Sequence, residues 1–191
     1  PLAFADLQLS YTDAFFEAMS GLTTTGSTVM LGLDFTPPGI LLWRALLQWL
    51  GGIGIIAMAI AILPLLQVGG MQLFRMESSD TSDKVMPRTI QVVTYISVLY
   101  VALTLLCAML YWVGGMSGFD AVTHAMTTIA TGGFSTHDAS IGHFESPTIE
   151  VTATAFMVIG GMPFVLYLQA LRGAPARLIR DSQVRWFLTI V

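Results

Sequence analysis

The chain has 191 residues, 54% hydrophobic and 10% charged, with a formal net charge of −4 and a mean hydropathy of +0.74. A soluble domain carries about 25% charged residues, so the composition excludes a soluble globular fold, and no nucleic-acid partner is expected. The lone cysteine, Cys107, excludes an internal disulfide. The apolar runs are near twenty residues or longer. That length fits membrane-spanning helices, not barrel strands of about ten alternating residues.

Residues 1–9 are a short lead-in. Ser10 and Asp13 then form an S-x-x-D capping signature. It predicts a helix of about ten residues, roughly 15 Å long, too short for a hydrocarbon core of about 30 Å. Such a helix dips in and hands over to a loop, here the polar turn 23–28 (TTTGST). Non-helical backbone at membrane depth is tolerated only where it is buried in protein or lines a water-filled path. Pro37-Pro38 opens a span over 39–66, whose only charge, Arg44, is read as an interfacial arginine reaching back to the membrane surface. Residues 67–88 are a polar linker with Arg75, Lys84 and Arg88, and 89–113 is an uncharged second span. Ser117 and Asp120 repeat the cap ahead of a second short helix over 119–130 and the turn 131–136 (TGGFST). A loop over 137–148, a third span over 149–171 and a basic connection over 172–185 follow. A new apolar run begins at Trp186. Starting at Pro1 and stopping inside that run, the chain reads as a piece of a longer protein.

The two short helices and their turns are copies. An offset of 107 maps Ser10, Asp13, Ala14, Ala18, Met19, Thr24 and Gly26 onto Ser117, Asp120, Ala121, Ala125, Met126, Thr131 and Gly133. Thr28 and Ser135 are a conservative pair at the same offset. Internal repeats set the architecture, and in transporters the substrate site lies at their interface. The expected fold is therefore an all-α membrane protein of repeated units, each a span, a re-entrant pore helix with a filter loop, and a span, like a potassium channel. Residues 1–66 are repeat one without its first span, and 67–88 are a cytoplasmic linker. Residues 89–171 are repeat two, and 172–191 are a second cytoplasmic linker with the start of repeat three. Seven of the eight Lys and Arg lie in 67–88 and 172–185, whereas 1–38 and 114–148 have none and hold seven acids. The excess of positive charge places the linkers in the cytoplasm and both turns on the outer side.

Thr24, Thr25, Gly26, Thr131, Gly132 and Gly133 are the candidate potassium ligands through backbone carbonyls, with Thr hydroxyls assisting. Gly26 and Gly133 supply the backbone freedom to aim those carbonyls. Gly51-Gly52 and Gly160-Gly161 read as close-packing positions between helices. His124 and Asp120, four apart on one helix, can meet, and His124 is expected to pack or hydrogen-bond behind the filter. His137 and His143 lie on a loop without ligand spacing, so no metal other than potassium is expected. Nothing in the spacing along the chain brings Ser27 or Ser135 to a histidine as an intramembrane protease needs. The isolated Gly pairs do not cradle phosphate. No catalysis and no cofactor are expected.

Residues 13–28 (DAFFEAMSGLTTTGST), 43–56 (WRALLQWLGGIGII), 68–75 (VGGMQLFR) and 131–138 (TGGFSTHD) together resemble the TrkH/TrkG family of bacterial Trk potassium uptake subunits, with KtrB subunits as more distant cousins. The resemblance implies four span–pore–span repeats around one pore, each with a key filter glycine, here Gly26 and Gly133. It also implies potassium uptake across the bacterial inner membrane, a homodimer in lipid, and a cytosolic nucleotide-binding gating subunit of the TrkA or KtrA type. Passive flow and symport with protons or sodium both remain open. The alternative is a membrane scaffold or receptor that keeps the fold without transport.

Overall fold

The computed structural model describes residues 2, 9–66, 82–171, 173 and 175–191; side chains at 57, 59–66, 82–90 and 177 are outside the description. Arg75 and most of the expected 67–88 linker therefore lie outside the described residues, and so do the side chains of Lys84 and Arg88. Every regular element among the described residues is helical.

Helix α1 (Tyr11–Leu22) begins at a complete capping box. Ser10 Oγ accepts from the Asp13 amide at 3.1 Å, and the Ser10 amide donates to Asp13 Oδ2 at 3.3 Å. A left-handed turn leaves it and leads to α2 (Pro38–Leu66), which starts on a proline that the first helical turn accommodates. Helix α3 (Ser82–Val113) starts earlier than the expected 89. Helix α4 (Gly118–Ile129) has the same side-chain cap as α1, with Ser117 Oγ 3.1 Å from the Asp120 amide. Helices α5 (Pro147–Gly161) and α6 (Phe164–Leu171) follow, then the short α7 (Ala176–Arg180) and α8 (Ser182–Ile190). Among the described residues two unbroken stretches are long and apolar enough to cross a membrane, Pro38–Ile56 and Gln91–Val113.

The third expected span is not one helix. Helices α5 and α6 meet at a bend of 88°. Met162 is extended, with φ −85° and ψ 150°, because the ring of Pro163 disfavours helical backbone in the residue before it and Pro163 has no amide to continue the ladder. The Tyr167 hydroxyl donates to the Ile159 carbonyl at 2.7 Å, so the break does not leave that group unpaired.

Helix α3 shows how the chain sorts its faces. Tyr100, Thr104, Cys107 and Tyr111 are buried at helical spacing, while Leu105, Met109 and Trp112 on the other side are exposed. The outward face is apolar, as hydrocarbon or further membrane helices require. The inward face carries polar groups with partners. Tyr100 Oη donates to the Trp49 carbonyl, Trp49 Nε1 donates to Thr104 Oγ1, and Tyr111 Oη meets Thr128 Oγ1 at 2.9 Å. The core thus forms where α3, α4 and α5 wrap one another, with α2 packed alongside.

The packing glycines seat the short helices. A Cβ built on Gly51 would lie 1.9 Å from the Leu22 carbonyl oxygen, and one on Gly160 would lie 2.8 Å from that of Ile129. Leu22 and Ile129 end α1 and α4 and correspond at the repeat offset. Each longer helix therefore presses bare backbone against the end of its own short helix, fixing the depth of the turn beyond.

Candidate functional site

The two turns leave their helices in the same backbone shape. Thr24 and Gly26 have φ of 55° and 79°, and Thr131 and Gly133 have φ of 53° and 83°. Threonine rarely adopts left-handed backbone, and here it does so at matched positions. Amides past each helix end fold back onto it: Thr25 N–H reaches the Ser20 carbonyl at 3.0 Å and Gly132 N–H reaches that of Thr127 at 2.9 Å. The turns also touch each other. A Cβ on Gly26 would sit 1.8 Å from the Gly132 carbonyl oxygen, so at that point only a bare backbone fits. Thr24 and Thr131 line one open cleft of about 440 Å³ with Ala130, Gly52 and Gly160.

Behind the turns each short helix holds its returning strand from the same place. Glu17 and His124 correspond at the repeat offset, as do Thr28 and Ser135. The Thr28 hydroxyl donates to Glu17 Oε1 at 2.8 Å, and Glu17 Oε2 accepts from the Val29 amide at 3.0 Å. In the second copy, contrary to the expectation that no histidine reaches Ser135, His124 Nε2 lies 2.9 Å from Ser135 Oγ across the folded turn, while His124 Nδ1 lies 2.9 Å from the Asp120 carbonyl oxygen and not from a carboxylate. A carbonyl only accepts, so Nδ1 carries the proton and Nε2 takes the serine's. His124 is thus a buried strut, bonded to the backbone of Asp120. The Asp120 carboxylate instead takes the Thr136 hydroxyl at 2.7 Å.

Arg44 is not an interfacial arginine. It is 1% exposed and paired with Glu17, which is 0% exposed, at 2.7 Å. Its Nη2 also meets Thr28 Oγ1 at 3.1 Å, its Nη1 donates to the Ser135 carbonyl at 3.1 Å, and its Cζ lies 4.1 Å over the Phe134 ring. One guanidinium therefore ties the first turn's strand to the second's. Burying a charge is costly unless it is paired and hydrogen-bonded, and the partners come from α1 and from both turns, so membrane depth alone did not reveal the position. One helical turn further along, Gln48 Oε1 accepts from the Phe134 amide at 3.0 Å, and a Cβ at Gly132 would lie 2.4 Å from the Gln48 amide group, which would have to move to admit it.

Beyond the turns, the loop after each one reaches the other. Asp138 Oδ1 accepts from the Leu33 amide at 3.0 Å, and His137 Nδ1 meets Asp34 Oδ1. That contact holds the Asp34 carboxyl below the usual carboxylate range. The His137 and His143 rings stack with centroids 3.6 Å apart.

Two short helices capped alike, each handing over to a left-handed turn and each seated by a longer apolar helix, define a helical membrane protein of duplicated pore-loop units. The chain belongs to the TrkH family of cation transport proteins, whose profile matches residues 1–190. It is 52% identical over 192 residues to the Trk system potassium uptake protein TrkI of Halomonas elongata, covering 100% of this chain and 39% of that protein. It is 47% identical to TrkH of Escherichia coli K12, covering 100% of this chain and 40% of that one. The crystal structure of the potassium transporter TrkH from Vibrio parahaemolyticus matches with a TM-score of 0.82 at 43% identity, covering 95% of this chain and 36% of that one. The chain thus spans about two fifths of the length of these relatives.

Proposed function

We propose that this chain supplies two walls of a potassium pore and that, as part of the whole protein, it serves potassium uptake across the bacterial inner membrane. The observation that carries this reading is the repeated backbone of the turns, left-handed at Thr24 and Gly26 and again at Thr131 and Gly133. Reversing the sign of φ at every second residue rolls successive carbonyls toward one side, the arrangement a dehydrated cation needs in place of its water. The ligands are then the carbonyls of Thr24, Thr25, Gly26, Thr131, Gly132 and Gly133. The contact between the turns and the shared cleft at Thr24 and Thr131 support a path at the repeat interface. The names of the relatives, Trk system potassium uptake proteins, supply the ion.

The acidic stretches around both turns, free of Lys and Arg, support a periplasmic mouth that gathers cations. The basic connections then face the cytoplasm, where a nucleotide-binding ring subunit would gate the homodimer. The test uses the full-length protein. Expressed in a host lacking its own potassium uptake, it should restore growth at low potassium. In liposomes it should take up rubidium, and imposing a proton gradient separates passive from coupled flow. A well-expressed protein that does neither is a scaffold, and the reading fails.

A further inference from the structure

Outside the turns, three metal-ligating side chains converge where the two copies meet. Ligand atoms of Asp34, His137 and His143 all lie within 4.8 Å of one another. Asp34 comes from the loop after the first turn and the histidines from the loop after the second, 103 residues or more away in sequence, so ligand spacing along the chain gave no warning. We propose that these three residues form a binding site for a borderline divalent metal ion of the zinc class, bridging the two outer loops.

The chemistry of the donor set points to this class. Two imidazole nitrogens and a carboxylate suit Zn²⁺ and its neighbours, whereas potassium, magnesium and calcium take oxygen. A tetrahedral centre with bonds of about 2.0–2.1 Å separates its ligand atoms by roughly 3.3 Å, so side-chain rotation closes the set. Stacked rings cannot both aim an in-plane lone pair at one ion. His143 therefore turns out of the stack, which its exposure permits. The surroundings of His137 provide a second, independent indication. Its Nδ1 faces Asp34, and its Nε2 lies 3.4 Å from Asp120 Oδ1 and has no hydrogen-bond partner among the described residues. A neutral ring has one proton for these two carboxylates. With a metal ion between them, Nδ1 gives its lone pair to the ion and the one proton of the neutral ring sits on Nε2, facing Asp120. This is the carboxylate–histidine–metal arrangement that fixes a ligating ring. A water completes the coordination.

The proposal does not depend on which ion the pore carries. Its test is calorimetric titration of ZnCl₂ into chelator-stripped, full-length protein in detergent, alongside His143→Ala and Asp34→Asn. Both side chains are exposed, and the variants should fold. The expected result is one tight Zn²⁺ per chain in the parent, weakened at least tenfold in each variant. Zinc should also raise the melting temperature of the parent and not that of His143→Ala. If the parent binds no zinc, or binds it as tightly in both variants as in the parent, the cluster is only a hydrogen-bond network and the proposal is overturned.

Discussion

Replacing Arg44 by Met isolates the buried ion pair. Methionine keeps much of the side-chain length and apolar stem but removes the charge, leaving Glu17 with no compensating cation at 0% exposure. Breaking a buried pair by removing one partner costs about 3–5 kcal/mol. The hydrogen bond to the Ser135 carbonyl and the contact over Phe134 are lost with it. Glu17→Gln in the same chain removes the stranded charge while its amide oxygen can still accept from the Val29 amide. The double variant Arg44→Met/Glu17→Gln should therefore recover much of the loss, since replacing both members of a buried pair is often near neutral. At about 2.1 cal/mol/K per residue, a loss of 3 kcal/mol lowers the melting temperature by roughly 3 °C in a protein about two and a half times the length of this chain, as its relatives are. The assay is thermal unfolding of the full-length protein in detergent for the parent, both single variants and the double. A fall under about 1 °C for Arg44→Met, roughly 1 kcal/mol in a protein of that length, or a double variant as unstable as the two singles added, would refute the bridging role of Arg44.

Other outcomes follow from the same contacts. Gly51→Ala should sharply reduce folded protein because its Cβ meets the Leu22 carbonyl, whereas Gly54→Ala, whose Cβ would meet nothing among the described residues, should express like the parent. His124→Ala should destabilise by about 1–3 kcal/mol by leaving buried groups unpaired, and should loosen the second turn more than the first, because His124 bonds Ser135 alone among the returning strands. A cysteine at Ser140 should be labelled by a membrane-impermeant reagent from the periplasm and one at Ser79 should not; Cys107 is buried and gives little background. The reverse pattern would invert the topology.

The repeat made the architecture legible. The Ser–x–x–Asp caps, the matched Thr and Gly and the apolar lengths are local signals, and α1, α2, α4 and the main part of α3 follow from them. The break between α5 and α6 was also written locally, in Gly160-Gly161-Met162-Pro163, but a hydropathy window averages over it. The role of Arg44 was not legible, because its partners lie 27 and 91 residues away, and only the folded interface brings them to one guanidinium. Glu17 and His124 could have been found by reading the repeat offset for position as well as identity. They do the same work with different chemistry, which a count of identities passes over. The left-handed backbone at Thr24 and Thr131 had no signal in residue type, since threonine disfavours it.

The central claim is that the two turns are the ion-selective walls, and Gly26 and Gly133 test it most directly. Both have positive φ; Gly26 also abuts the Gly132 carbonyl, whereas no described residue of this chain lies within 4 Å of a Cβ at Gly133. Gly133→Ser therefore perturbs the backbone with little steric clash, and Gly26→Ser adds a collision to the same strain. The measurement is the potassium-to-sodium uptake ratio of each full-length variant in liposomes, scaled to the protein present. The expected result is a fall of about tenfold for Gly133→Ser, the equivalent of roughly 1.4 kcal/mol in relative site energy, and a larger fall or loss of uptake for Gly26→Ser. If both variants transport with the ratio of the parent, these glycines only shape turns and the selective walls lie elsewhere.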